Sequence, residues 1–223
     1  MTFAILGTCK DSGQAGIALT TSSIAVGARC PFVRAGVGAV ATQNVTDPRL
    51  GPRMLDAMAA GAAPAEAIDA LMSEANIQHR QLLAIDLSGR TAAFSGTETL
   101  GVYALSEGAN CVAGGNLLAN TDVPAAMTAA FAGASGELAE RLLTALAAGL
   151  NAGGEAGDIH SAALKIAEKE AWPYVDLRVD WMIGDPVSEL SGLWAEYAPQ
   201  AADYVTRELD PSTAPSYGVP GDE

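Results

Sequence analysis

MTFAILGTCKDSGQAGIALTT, residues 1–21, carries the reading on which the fold turns. Two apolar runs, Met1 to Cys9 and Gln14 to Thr21, flank Lys10-Asp11-Ser12-Gly13, whose Asp, Ser and Gly favour a tight turn. A hairpin at the start of the chain points to antiparallel sheet rather than to βαβ winding. Working outward, Gly36 to Gln43 is small, β-branched and glycine-rich, which predicts a third strand closely approached by another backbone. Asp47-Pro48-Arg49-Leu50-Gly51-Pro52 ends that pattern, and helices are expected over about 52–60 and 64–75, the second with Pro64 in its first turn.

Gln81 to Leu87 and Thr91 to Gly96 flank Ser88-Gly89-Arg90 as a second hairpin, and Asn110 to Leu118 is another glycine-rich strand. Thr121-Asp122 is expected to cap a helix running to about Gly133, and Ser135-Gly136-Glu137 to open one ending near Gly149 or Gly153. Ser161 to Ala167 and Tyr174 to Asp180 predict a last hairpin, and Pro186 starts a helix toward Tyr204. Strands, two helices, strands, two helices, strands and a helix make an α+β domain of antiparallel sheets covered by helices. The expected domain is 1–206; residues 207–223, rich in Pro, Gly, Ser and acid toward the end, are expected to be disordered.

The composition narrows the function classes. Of the 223 residues 49% are hydrophobic and 17% charged, so a substantial interior is available. Asp and Glu number 26 against 12 Lys and Arg, a formal charge of −14 that repels phosphate backbones and anionic membranes, so neither nucleic acid nor membrane is an expected partner. Cys9, Cys30 and Cys111 form no CxxC pair and have no histidine at ligand spacing, so no metal is expected. The start of the chain lacks a basic segment and cleavage site, and the most apolar run, 141–150, is too short to cross a bilayer; the expected compartment is the cytoplasm, with reduced thiols. GxxxxGK[ST], HExxH and GxSxG are all missing, Gly36-Val37-Gly38 lacks the third glycine of a dinucleotide loop, and no cofactor is expected.

Only two histidines are available, and His79 reads as a surface or capping residue. His160 precedes a strand and is compatible with either a structural or a substrate-contacting role. Thr2 offers a different chemistry. If Met1 is removed, Thr2 carries a free α-amine, of ordinary pKa about 7.7 to 8.0, beside its own hydroxyl. One residue then supplies base and nucleophile for acyl transfer. Threonine at position 2 is also common in proteins with no such activity.

Several blocks in order resemble the DUF1028 family, placed in the N-terminal nucleophile (Ntn) hydrolase superfamily: Thr2-Phe3, AVG at 25–27, PFVRAGVGAVATQ at 31–43, DPRLGPRMLDAMAAG at 47–61 and HRQ at 79–81. They continue with GGNLLAN at 114–120, LAERLLTALAAGLNAGG at 138–154, SAAL at 161–164, VDLRVD at 175–180 and DPVSEL at 185–190. The resemblance implies an αββα sandwich, two antiparallel sheets face to face with helices outside, and hydrolysis of an amide by the residue in the place of Thr2. Under that mechanism Asn116 is a candidate oxyanion donor or simply a turn residue, and Thr42 and Gln43 are candidate cleft lining or a strand-end cap. Arg34 is a candidate cation near the amine or a structural ion pair, and Ser22 and Ser23 are candidates to orient the amine. Asp176, Arg178 and Asp180 share one face as an ion-pair row, with Arg178 a candidate for a substrate carboxylate.

The chain departs from the family pattern in GDIHS at 157–161, where relatives tend to read GRQSA, and in LGVY at 100–103, where they often carry WAGH; Ser95-Gly96 stands for Thr-Gly. The expected activity is cleavage of a small linear or cyclic amide. The alternative is a ligand-binding or assembly module without turnover. A weaker variant uses His160 or Cys9 in place of Thr2. A homo-oligomer is expected through small-residue helices such as 138–150.

Overall fold

The computed structural model describes residues 1–222; Glu223, the last residue of the expected tail, lies outside the described residues. The opening hairpin is present as β1 (Thr2–Cys9) and β2 (Gln14–Thr21), paired from Phe3 with Thr20 to Cys9 with Gln14. The glycine-rich strand is β4 (Gly38–Asn44), preceded by a strand the sequence pattern did not reveal, β3 (Pro31–Arg34). Two helices follow, α1 (Leu50–Ala59) and α2 (Pro64–Asp69). The second stops earlier than its periodicity predicts, because residues 70–79 wind into turns with Asn76 in the left-handed region.

β5 (Arg80–Asp86) and β6 (Thr91–Ser95) form the second hairpin, and β8 (Cys111–Asn116) pairs with another unpredicted strand, β7 (Ala104–Gly108). α3 (Val123–Gly133) and α4 (Leu138–Asn151) fall where expected. The Asp122 side chain does not cap α3; Asn120 Oδ1 accepts the Asp122 N–H instead, at 2.9 Å. The last hairpin is β9 (Ser161–Ala167) and β10 (Val175–Val179), and the last predicted helix divides into α5 (Pro186–Tyr197) and α6 (Ala201–Leu209) across a 3-10 turn. Asp185 caps α5, accepting the Val187 and Ser188 N–H groups at 2.9 and 3.1 Å. Residues 210–222 follow as turns, with Arg207 lying over the Tyr217 ring.

All pairings are antiparallel, in one sheet of order β10-β9-β2-β1-β8-β7 and another of order β3-β4-β5-β6. Because side chains alternate along a strand, each strand feeds two interiors. Phe3 and Ile5 of β1 pack with Phe131, Leu142 and Trp194 of α3, α4 and α5. Ala4 and Leu6 pack instead against Ala41 of β4 and Leu83 and Ile85 of β5. On the other side of the smaller sheet, Val40, Leu82 and Ala84 meet Met54, Leu55 and Ile68 of α1 and α2.

Close layers demand small residues at particular points. A Cβ on Gly7 would lie 2.6 Å from the Phe131 ring, and one on Gly115 would lie 2.6 Å from Leu118 and 2.9 Å from the Phe3 Cβ. Among the described residues no helix is long and apolar enough to cross a membrane.

Candidate functional site

Both sheets open at the same end. There β1 begins, β2, β4, β6, β8 and β10 finish, and β5, β7 and β9 start. Thr2 sits at this end opposite Asn116, on the face that carries Ala4 and Leu6 toward the second sheet, and is only 5% exposed. Its Oγ1 lies 3.3 Å from Thr21 Oγ1, and both hydroxyls donate to the Met1 carbonyl. Thr21 also accepts the Ser23 N–H at 3.3 Å.

Beneath these hydroxyls lies a buried amide network. Gln43 Nε2 donates to Gln81 Oε1 at 2.7 Å and to the Gly114 carbonyl at 3.1 Å. Asn116 Nδ2 donates to the same Gln81 oxygen at 3.1 Å, and Gln81 Nε2 donates to Ser95 Oγ at 2.8 Å and the Gly115 carbonyl at 3.0 Å. Gln43, Gln81 and Asn116 are fully buried, yet Gln43 Oε1 and Asn116 Oδ1 have no partner among the described residues. Buried polar groups are nearly always paired, so these two acceptors set the network apart from ordinary core. Leu117, next to Asn116, has φ 51°, a conformation costly for a branched side chain and fixed here by its N–H bond to the Leu100 carbonyl at 3.0 Å.

Glu155 closes one side. The Gly153-Gly154-Glu155 segment after α4 turns back so that Glu155 bridges Leu118 and its Oε2 accepts the Ser22 N–H at 3.2 Å. Glu155 is 6% exposed and its Oε1 is unpartnered among the described residues. Burial pushes its carboxyl up to about 7, against the opposing pull of the chain's terminal ammonium and the Ser22 N–H. It lines a cavity of about 440 Å³ together with Gly157, Asp158, His160 and Ile183. The Met1 side chain lies over Gly157, 3.6 Å from where a Cβ would stand there.

His160 is anchored at this cavity. Its N–H donates to the Thr21 carbonyl at 2.8 Å, Nδ1 lies 2.9 Å from the Met182 carbonyl, and its ring centroid is 4.5 Å from that of Trp181. Ile24, Val45, Leu100, Val102, Tyr103, Trp181 and Ile183, all well exposed, occupy the loops at this end, and Ile183 lines the cavity. Among the described residues no group of three His, Cys, Asp or Glu side chains could hold a metal ion.

The structure therefore brings together Thr2, Asn116, Gln43 and His160 from the residues singled out in the sequence. The Ser22 and Ser23 backbones join the site through Glu155 and Thr21, whereas their hydroxyls make no hydrogen bond among the described residues. Thr42 alternates to the other face of β4 and donates to the Asp47 carbonyl at 3.3 Å. Arg34 lies at the far end of β3, opposite Gly38 and paired with Asp56 at 2.8 Å, so it is remote from Thr2. Arg178 is held by both oxygens of Asp176, at 2.8 and 2.9 Å, and Lys165 takes the same carboxylate at 3.0 Å. Cys9 sits at the opposite end of β1. Thr21, Gln81 and Glu155 escaped sequence reasoning, and Ser95 was noted only as standing where relatives carry Thr. The alternation of Gln81 with Leu83 and Ile85 was the one available signal for any of them.

Fold and site together define an antiparallel two-sheet α+β protein with a polar, partly unsatisfied site at the shared strand end. Comparison gives that class its family: residues 2–190 match the family described as "Family of unknown function (DUF1028)", and the chain belongs to it. A crystal structure of a Silicibacter pomeroyi protein, itself assigned to DUF1028, is similar with a TM-score of 0.84 and 32% identity, covering 91% of this chain and 89% of that one. No curated protein matches the chain.

Proposed function

We propose that this protein is an amide hydrolase of the N-terminal nucleophile type, an αββα sandwich in which Thr2 attacks a small linear or cyclic amide once Met1 has been removed. One juxtaposition carries this reading: the Thr2 hydroxyl is buried at the head of β1, 3.3 Å from Thr21 Oγ1 and in register with Asn116, and the chain from Thr21 to Ser22 is bonded to His160 and Glu155 of the cavity lining. The freed α-amine accepts the hydroxyl proton as Oγ1 bonds to the amide carbon. Asn116 Nδ2 gives one hydrogen to Gln81, and its second hydrogen is available to the oxyanion. Gln81 fixes the plane of that amide, because it is itself held by Ser95 and Gly115. The C–N bond breaks, the leaving nitrogen takes the proton, and water hydrolyses the ester on Thr2.

A second reading has its own observation. In the chain that keeps Met1, its carbonyl accepts from both threonine hydroxyls, so the nucleophile is capped and its nitrogen is an amide. Such a chain is a binding module without turnover. Intact mass establishes the start residue, and the processed protein is then screened against an amide panel. The Thr2→Ala variant is expected to remain folded and to lose turnover by several orders of magnitude. Equal turnover by Thr2→Ala, or by protein that retains Met1, refutes the nucleophile.

A further inference from the structure

Met1 is an aminoacyl group whose carbonyl and side chain have defined partners at the site. Its carbonyl accepts from the Thr2 and Thr21 hydroxyls, and its side chain lies over Gly157 at the cavity edge. Its ammonium is the one charge that draws the Glu155 carboxyl down, although no ion pair within 4 Å joins them among the described residues. Glu155 thus presents a buried oxygen, Oε1, with no partner among the described residues, while Oε2 is held in place by Ser22. Leaving such a group unpaired is costly unless a ligand completes it.

The rest of the cavity favours the same kind of ligand. No Lys or Arg lines it. Asp158 adds negative charge, while Asp185 is already engaged in capping α5. The Met182 carbonyl can only accept, so His160 Nδ1 carries a proton there. A ligand carboxylate would meet the acids Glu155, Asp158 and Asp185 and no Lys or Arg here, whereas a positively charged group with N–H donors would meet the free Glu155 oxygen and Asp158.

We infer that this cavity is the acyl subsite of the enzyme, and that its substrate is an amide whose acyl part carries a primary ammonium group, bound by Glu155 where the Met1 aminoacyl group sits in the unprocessed chain. The inference rests on the Thr2 reading for the word substrate, but the subsite is measurable by binding alone. Removal of Met1 vacates the space over Gly157 and moves the chain's α-amine to Thr2 at the head of β1, and the ligand fills the vacated space and supplies the partner that Glu155 Oε1 lacks. Glu155 is then a specificity-determining residue for the reaction.

The test uses Thr2→Ala protein whose mass verifies loss of Met1, so that binding is measured without turnover. L-norleucinamide, with an ammonium and an unbranched side chain, is compared by calorimetry with hexanamide, which lacks the ammonium. Norleucinamide is expected to bind at least tenfold tighter. Adding Glu155→Gln, which keeps the acceptor for Ser22 and whose folding is checked by thermal unfolding, is expected to abolish that preference and leave hexanamide unchanged. Equal binding of the two amides, binding of neither, or a preference that survives Glu155→Gln overturns the subsite. Turnover by the processed wild-type chain is scored separately. Hydrolysis without preference for an ammonium sinks the subsite and leaves the nucleophile standing, and preferential binding with no hydrolysis does the reverse.

Discussion

Replacing Glu155 by Gln is expected to stabilise the protein at alkaline pH while leaving it little changed in acid. Burial raises the carboxyl from its ordinary 4.5 to about 7 in the folded chain. The folded state therefore holds the proton more tightly than the unfolded state does. Its stabilising contribution is fully present below pH 4.5 and is lost as the pH rises through about 7. The difference between those two values corresponds to about 3 kcal/mol. The side-chain amide of the Glu155→Gln variant would not titrate, and its oxygen can still accept the Ser22 N–H. For a chain of this length that energy corresponds to a rise in Tm of roughly 6 to 12 °C at pH 8. Thermal and urea unfolding of both proteins at pH 5 and pH 8 provide the comparison, since subtracting one profile from the other cancels every shared group. A difference that stays constant with pH, or a variant less stable than the parent at pH 8, refutes the account of Glu155 as a buried carboxylate lacking a full partner.

Gln81→Leu should cost about 3 kcal/mol in urea unfolding, because the Asn116 amide and the Gly115 carbonyl each lose a buried partner, and it should lower turnover by freeing the Asn116 side chain to rotate. Gly115→Ala should destabilise by at least about 2 kcal/mol, since its methyl would meet Leu118 and Phe3 between fixed backbones; a neutral result in thermal unfolding would mean that β1 and β8 are looser than drawn. Asp47, held down to about 2 chiefly by the Arg49 guanidinium, stabilises the folded state fully above its ordinary 3.8, and that contribution fades as pH falls toward 2. Asp47→Asn should accordingly flatten the acid limb of the unfolding profile, measured by circular dichroism. Phe3→Ala, emptying a fully buried site against α3 and α4, should cost about 3 to 5 kcal/mol by the same assay.

What could be read from residues alone was set by local signals strong enough to survive without context. The Lys10 to Gly13 turn, the Ser88-Gly89-Arg90 turn and the alternating runs around them specified hairpins, since turn chemistry and a period of two act over a few residues. β3 and β7 escaped because both are short edge strands. One starts on Pro31, and the other, ALSEG, has one side partly exposed, so neither carries a clear alternation. Thr2 was singled out because the chemistry expected of it follows from its place next to Met1. Asn116 and Gln43 were named beside it, but Thr21, Gln81 and Glu155 were not, because they come from three segments that only strand pairing and the stacking of two sheets bring to one end. Arg34 shows the converse: a cation close to the right strand in sequence lies at its far end in space, because β3 runs away from the site before β4 returns. Glu155 lies just past the helix end expected near Gly149 or Gly153 and carried no signal of its own; its burial, and with it the chemistry of its carboxylate, was decided by the fold that closed around it.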